Sequence, residues 1–152
     1  MKLTIIGLSL IFISMSIFYI GILDEYIRPA IIYHSPLSNE AIGAPGLAAT
    51  HYTTKHQYKR GEMVEARVNY TKTRPLVADV QWKLSNILIL TYPPRKGGLP
   101  ALGHAVKVIP IEIIPKDSKL GTHFFIGTST YRINFFLSKT YPIRTNDFEV
   151  VE

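Results

Sequence analysis

The sequence predicts an all-β fold, a two-sheet sandwich of seven or eight short strands, preceded by one N-terminal transmembrane helix. Three observations carry this: an uninterrupted apolar run opens the chain, a two-residue alternation of apolar and polar side chains dominates from about residue 49, and no 3.6-residue period occurs after the first run. The organisation that follows is an anchor over 1–23, a Pro/Gly-containing tether over 24–47 and a β-sandwich domain over 48–152.

The run from Leu3 to Leu23 contains no charged residue. As a helix it spans roughly 32 Å, close to the ~30 Å hydrocarbon core of a bilayer. Its polar members, Thr4, Ser9, Ser14, Ser16 and Tyr19, are compatible with lipid because hydroxyls bond back to helix carbonyls. Asp24 and Glu25 would be costly in lipid and set the boundary. Lys2 and the α-amino group lie before the run and acids after it, so the positive-inside rule places the N-terminus in the cytoplasm and the domain outside, periplasmic or extracellular. Tyr19 and Tyr26 fall near the outer interface. The competing reading is a cleaved signal peptide and a secreted product, with Ser14 and Ser16 as the small-x-small site. Cleavage there leaves an apolar mature start from Ile17 to Leu23, which favours the anchor. A buried helix of a soluble protein is the third reading.

The tether carries Pro29, Pro36, Gly43, Pro45 and Gly46 without a sustained period, and its Ile27–Tyr33 stretch is apolar enough to rest on headgroups or on a partner. Beyond it, Val64, Ala66, Val68 and Tyr70 alternate with Glu65, Arg67 and Asn69, and Ala78, Val80, Trp82 and Leu84 alternate with Asp79, Gln81 and Lys83. Both segments read as strands with one wet face. Ile87–Tyr92 is a short apolar run that reads as a covered strand. Val106, Val108 and Ile111–Ile114 make a strand pair or a bent strand, with an edge or bulge at Pro110, which has no ladder donor. Thr122–Tyr131, Arg132–Leu137 and Phe148–Val151 complete the set. The turns are Lys59-Arg60-Gly61, Pro93–Gly103, Pro115–Gly121 and Ser138–Asp147.

Trp82, inward on the third strand, fills the place of the core tryptophan of immunoglobulin-like domains, and Leu120-Gly121-x-His123 is similar to the segment that builds their tyrosine corner, with His in place of Tyr. The domain therefore resembles an immunoglobulin-like sandwich. Anchor, tether and a C-terminal pattern of Tyr131, Ile133, Asn134, Thr145, Asn146, Phe148 and Val150 together resemble small membrane or virion-associated proteins encoded by bacteriophages. That resemblance implies location and architecture without a chemistry.

The chain has 152 residues, no cysteine and a net charge of +6. Disulfides, thiolate chemistry and cysteine-ligated metals are excluded. His34, His51, His56, His104 and His123 form no ligand-spaced pair and read as surface or turn residues, with His51 and His56 on opposite faces. The segment Gly127-Thr128-Ser129-Thr130-Tyr131 lacks the second glycine of a nucleophile elbow, and Gly98 to Gly103 lacks the Lys-Ser/Thr of a phosphate loop. The acids are scattered singly, with no obvious pair for glycoside chemistry. Asn69-Tyr70-Thr71 matches a glycosylation acceptor.

Basic residues are the remaining feature. Lys55, His56, Lys59 and Arg60 cluster with Tyr52 and Tyr58, while Lys72, Arg74, Arg95 and Lys96 fall in predicted turns. Strand ends that meet at one pole would merge some of them into a cationic patch, with Lys55, Lys59, Arg60, Arg95 and Lys96 as the anionic-surface residues. The expected function is a non-enzymatic, membrane-anchored structural or protein-interaction module without cofactor or metal, with the bilayer and another protein as partners and nucleic acid disfavoured. The alternative is a module that binds an anionic polymer through the basic loops.

Overall fold

The computed structural model describes residues 2–27, 29–34, 49–85, 90–135 and 137–152. Helix α1 (Lys2–Ile27) holds the apolar run. Its window Ile6–Asp24 has a mean hydropathy of 2.3, and none of it is buried inside the protein. Phe12 is 76% exposed and Met15 67%, so α1 is not the core helix of a soluble domain. Ser14 Oγ donates to the Leu10 carbonyl and Ser16 Oγ to that of Phe12, both at 2.8 Å, which satisfies the two hydroxyls within the helix.

Eleven strands follow among the described residues: β1 (Ile31–Tyr33), β2 (Tyr52–Thr53), β3 (Gln57–Lys59), β4 (Met63–Lys72), β5 (Ala78–Ser85), β6 (Leu90–Thr91), β7 (Arg95–Gly97), β8 (Gly103–Ile113), β9 (Gly121–Arg132), β10 (Ser138–Arg144) and β11 (Phe148–Val151). They form two packed sheets, a β-sandwich preceded by one helix. The first sheet is centred on β4, with β8 antiparallel on one side and β1 and β2 sharing the other. The second is centred on β9 and β5. Outside β9 lie β10 and β11, with β3 parallel to β11; outside β5 lie β6 and β7.

The core follows the alternation. Val64, Ala66, Val68 and Tyr70 of β4 face Ala78, Val80, Trp82 and Leu84 of β5, and Phe125, Tyr131, Phe148 and Val150 close the layer. Each of the larger buried apolar side chains contributes roughly 1.5–3 kcal/mol, and the alanines less. Trp82 meets the Phe125 ring edge-on at 6.2 Å. Gly127 faces Trp82 across the β5–β9 ladder, where a Cβ would sit 2.1 Å from the Gln81 carbonyl oxygen. Pro110 lies on the edge strand β8 beside a register shift, where Met63 and Glu65 of β4 meet Ile113 and Pro110. The bulge removes the need for the missing proline N–H.

Several expectations are corrected. Ser138–Asp147 is mostly strand, since β10 pairs with β9 from Ser138–Arg132 to Arg144–Ile126. Arg132–Leu137 is the connection between those strands, with the Ile133 N–H donating to the Leu137 carbonyl at 2.8 Å. Pro93–Gly103 contains β7. Of the covered strand expected over 87–92, residues 87–89 lie outside the described residues, and Leu90 is 45% exposed. Ile31–Tyr33, expected in the tether, pairs with Lys72–Tyr70 and buries Ala30 and Ile31 in the core; residues 35–48 lie outside the described residues. The cause is non-local, because β4 offers an open edge that a three-residue apolar stretch can occupy.

Candidate functional site

The two ends of the sandwich differ. Lys72 pairs with Gly103, Ala78 with Gly97 and Tyr131, and Arg132 with Ser138, so the connections 73–77, 98–102 and 133–137 share one pole. The chain enters there from α1, and Arg74 Nη2 meets Asp24 Oδ2 at 2.5 Å. The β3–β4 turn and the segment after β8 make the far pole, where the Gly61 N–H donates to the Ile114 carbonyl at 2.8 Å.

Between the sheets, opening beside β7 and β8, lies a cavity of about 440 Å³. Its apolar wall includes Val80, Trp82, Leu99, Ile109 and Ile143, and its polar groups come from Tyr33, His51, Ser129 and Tyr131. The volume falls in the range of small-ligand sites, about 300–1,000 Å³. Burial pushes the His51 imidazole down to about 3. Thr50 Oγ1 accepts the Arg144 N–H at 3.1 Å and lies 2.7 Å from His51 Nδ1, so that ring nitrogen has a hydrogen-bond partner. Burial also raises the phenols of Tyr33 and Tyr131. At neutral pH the polar wall is therefore uncharged. Tyr131 Oη makes no hydrogen bond of normal geometry; Ser129 and the Leu99 backbone N–H are its polar neighbours at longer range. The Leu99 carbonyl accepts from Lys72 Nζ at 2.7 Å, and burial lowers that amine. Charge at the cavity is confined to Arg95 and Lys96 near its mouth.

Beside this mouth, the outer edge of β8 has no strand partner among the described residues. Its C-terminal half is capped. Arg95 Nη2 donates to the Pro110 carbonyl at 3.2 Å and to that of Ile111, and Tyr92 Oη to that of Ile113 at 2.8 Å. The Pro110 carbonyl thus points away from β4. A strand directs the N–H and C=O of alternate residues the same way, and the register is unbroken from Pro110 to Gly103. The backbone groups of His104, Val106 and Val108 therefore face outward, unpaired within the described sheet. Val106 is 37% exposed and Val108 52%.

The sequence-predicted basic residues do not merge. Lys59 lies in β3 and Arg95 and Lys96 in β7, the opposite edges of the second sheet, four strands or roughly 19 Å apart. Lys55 is paired with Glu62, which also accepts the Lys59 N–H at 2.8 Å, and Lys55 holds that carboxylate below its ordinary range. Arg60 is exposed in the β3–β4 turn. Arg95 Nη1 is 3.5 Å from Glu112 Oε1, and Lys96 Nζ is 2.6 Å from Asp79 Oδ1. Lys72 is buried at the end of β4 rather than in a turn. Tyr58, expected beside the basic cluster, is a core residue whose hydroxyl donates to the Glu65 carbonyl at 3.1 Å.

Two histidines also depart from expectation. His51 and His123 are buried, and His123 Nε2 donates to the Lys119 carbonyl at 2.8 Å; His56 is exposed. Asn69, of the glycosylation triplet, is buried in β4. Among the described residues no group of three or more His, Asp or Glu is placed to hold a metal. The convergence of Tyr33, His51, Ser129 and Tyr131 had no signal in the sequence, because they come from three separate segments, with only Ser129 and Tyr131 sharing a strand. No protein-family model matches this chain, and no curated protein matches its sequence.

Proposed function

We propose that the chain is a single-pass membrane protein whose outward-facing β-sandwich is a non-enzymatic interaction module, and that it engages another protein by strand addition. The observation that carries this reading is the open half-edge of β8, where outward backbone groups adjoin a neutral inter-sheet cavity. An extended segment added there gains main-chain hydrogen bonds, and the cavity gives one of its side chains a specific seat. The capping by Arg95 and Tyr92 and the proline at 110 blunt the remainder of the edge, which limits uncontrolled pairing.

The anchor is supported by the outward-facing apolar residues of α1; cleavage after Ser16 would leave Ile17, Phe18, Ile20 and Ile22 on a soluble product, each more than 40% exposed. An immunoglobulin-like topology is supported by the parallel pairing of β3 with β11, the core position of Trp82 and the His123–Lys119 bond in the place of a tyrosine corner. A bacteriophage membrane or virion accessory role is the setting that its sequence pattern suits. The alternative of anionic-polymer binding is weakened by the separation of the basic groups and their pairing with acids.

The test uses the full chain in lipid nanodiscs to select binders from a library of extended peptides. Strand addition requires that Val106→Pro, which removes an outward N–H and leaves the β4 ladder alone, abolishes binding. N-methylation of alternate peptide residues must also abolish binding in one phase and spare it in the other. Binders indifferent to both changes refute the reading. Carbonate extraction with intact mass tests the anchor separately.

A further inference from the structure

The pole that receives α1 carries a feature a free tether would not need. The connection between β9 and β10 reads Asn134-Phe135-Phe136-Leu137. Its described residues Asn134, Phe135 and Leu137 lie against the helix and line one groove with Ile17, Phe18, Gly21 and Ile22. Gly21 permits the approach, since a Cβ there would stand 3.0 Å from Asn134 Nδ2. Phe135 is 78% exposed. Helix positions 17 to 22 precede the boundary residue Asp24 by two to seven residues, which is a depth of about 3–10 Å. The turn therefore sits at the level of the upper acyl chains.

Its charges stand at the matching height. The Arg132 guanidinium carbon is 5.7 Å from the Phe135 ring centroid, and Arg74 is paired with Asp24 at the boundary. Val77 and Leu102, in the neighbouring connections of the same pole, are 65% and 57% exposed. An apolar tip below a cationic collar is the arrangement that buries side chains among lipid tails and keeps guanidinium groups at the phosphates.

We propose that the β9–β10 turn is a membrane-inserting loop, with Phe135 and Leu137 entering the outer leaflet beside α1 and fixing the sandwich against the bilayer. This rests on the reading of α1 as a membrane span. The occupant of the exposed turn is lipid of the membrane that α1 crosses.

The absence of cysteine gives a clean test in the full chain. Phe135→Cys, Phe12→Cys and Ser118→Cys are each labelled with an environment-sensitive fluorophore and reconstituted in phosphatidylcholine/phosphatidylglycerol vesicles. Quenching is read from lipids carrying a nitroxide high or low on the acyl chain. A label at 12 is expected to be quenched by the low nitroxide and one at 118 by neither. A label at 135 should lose about half its emission to the high nitroxide, as a depth of ~5–10 Å requires. A quenched label at 12 with an unquenched label at 135 overturns the insertion and leaves the span intact. An unquenched label at 12 overturns the span itself. Far-ultraviolet spectra that match the parent confirm that each variant is folded.

Discussion

Gly127→Ala is the sharpest probe of the packing. The added Cβ would lie 2.1 Å from the Gln81 carbonyl oxygen and 3.1 Å from both the Gln81 carbonyl carbon and Trp82 Cε3. The first of these contacts is with backbone, so no rotamer change relieves it. To restore an ordinary separation, β5 and β9 must part by about 1 Å where neighbouring strands normally lie ~4.8 Å apart. That movement stretches the adjacent ladder bonds past their useful range. Leaving two buried backbone groups poorly paired costs about 1–3 kcal/mol each, and overpacking against the indole adds about 1 kcal/mol or more. The expected loss is thus ~3–7 kcal/mol out of a typical total of ~5–15 kcal/mol. At ~4–8 °C per kcal/mol, the melting temperature should drop by at least about 12 °C. Urea unfolding followed by the emission of Trp82, the single tryptophan, measures it directly. A variant within ~0.5 kcal/mol of the parent, with an unchanged urea dependence, would refute the claim that β5 and β9 are pressed together at this point.

Three further outcomes are expected. His51 binds its proton more readily unfolded than folded, so stability should fall as pH drops from about 6.5 toward about 3, by up to ~1.4 kcal/mol per unit; a parent-minus-His51→Phe difference that stays flat over this window contradicts that assignment. Tyr131→Phe removes a buried hydroxyl that makes no normal hydrogen bond and should be neutral or stabilising by up to ~1 kcal/mol in denaturant titration, whereas a loss beyond ~1 kcal/mol would mean that the hydroxyl is well paired. Asp24→Asn breaks a half-exposed ion pair and should shift the unfolding free energy by less than ~1 kcal/mol.

The alternation in β4 and β5 was legible because each strand buries one face and wets the other, so the side-chain period is visible in the sequence alone. β10 was hidden for the opposite reason. Ser138, Lys139 and Thr140 are exposed and Pro142 interrupts the pattern, and the strand exists because seven residues pair with β9. β1 was hidden because three residues are too few to show a period, and its partner lies about forty positions away. The cavity was illegible in principle, since no local pattern encodes the meeting of His51 with Tyr33, Ser129 and Tyr131. The basic residues show the converse failure. Proximity along the chain and a shared prediction of turns suggested a patch, while sheet order put Lys59 and Arg95 on opposite edges and set acids beside Lys55, Arg95 and Lys96.

The early entry of β1 into the first sheet alters what the protein is mechanically. Seven residues lead from Asp24 to Ile31, where the sandwich begins, so the domain stands on a short stalk instead of swinging on a leash. The longest strand, the 12 residues of β9, runs away from the pole beside α1, and at ~3.3 Å each it gives the sandwich a length of about 40 Å. The open half of β8, from His104 to Val108, starts at that same pole, so a strand added there would lie within about 17 Å of the α1 end of the sandwich, and on the proposed reading its partner is gripped close to the membrane.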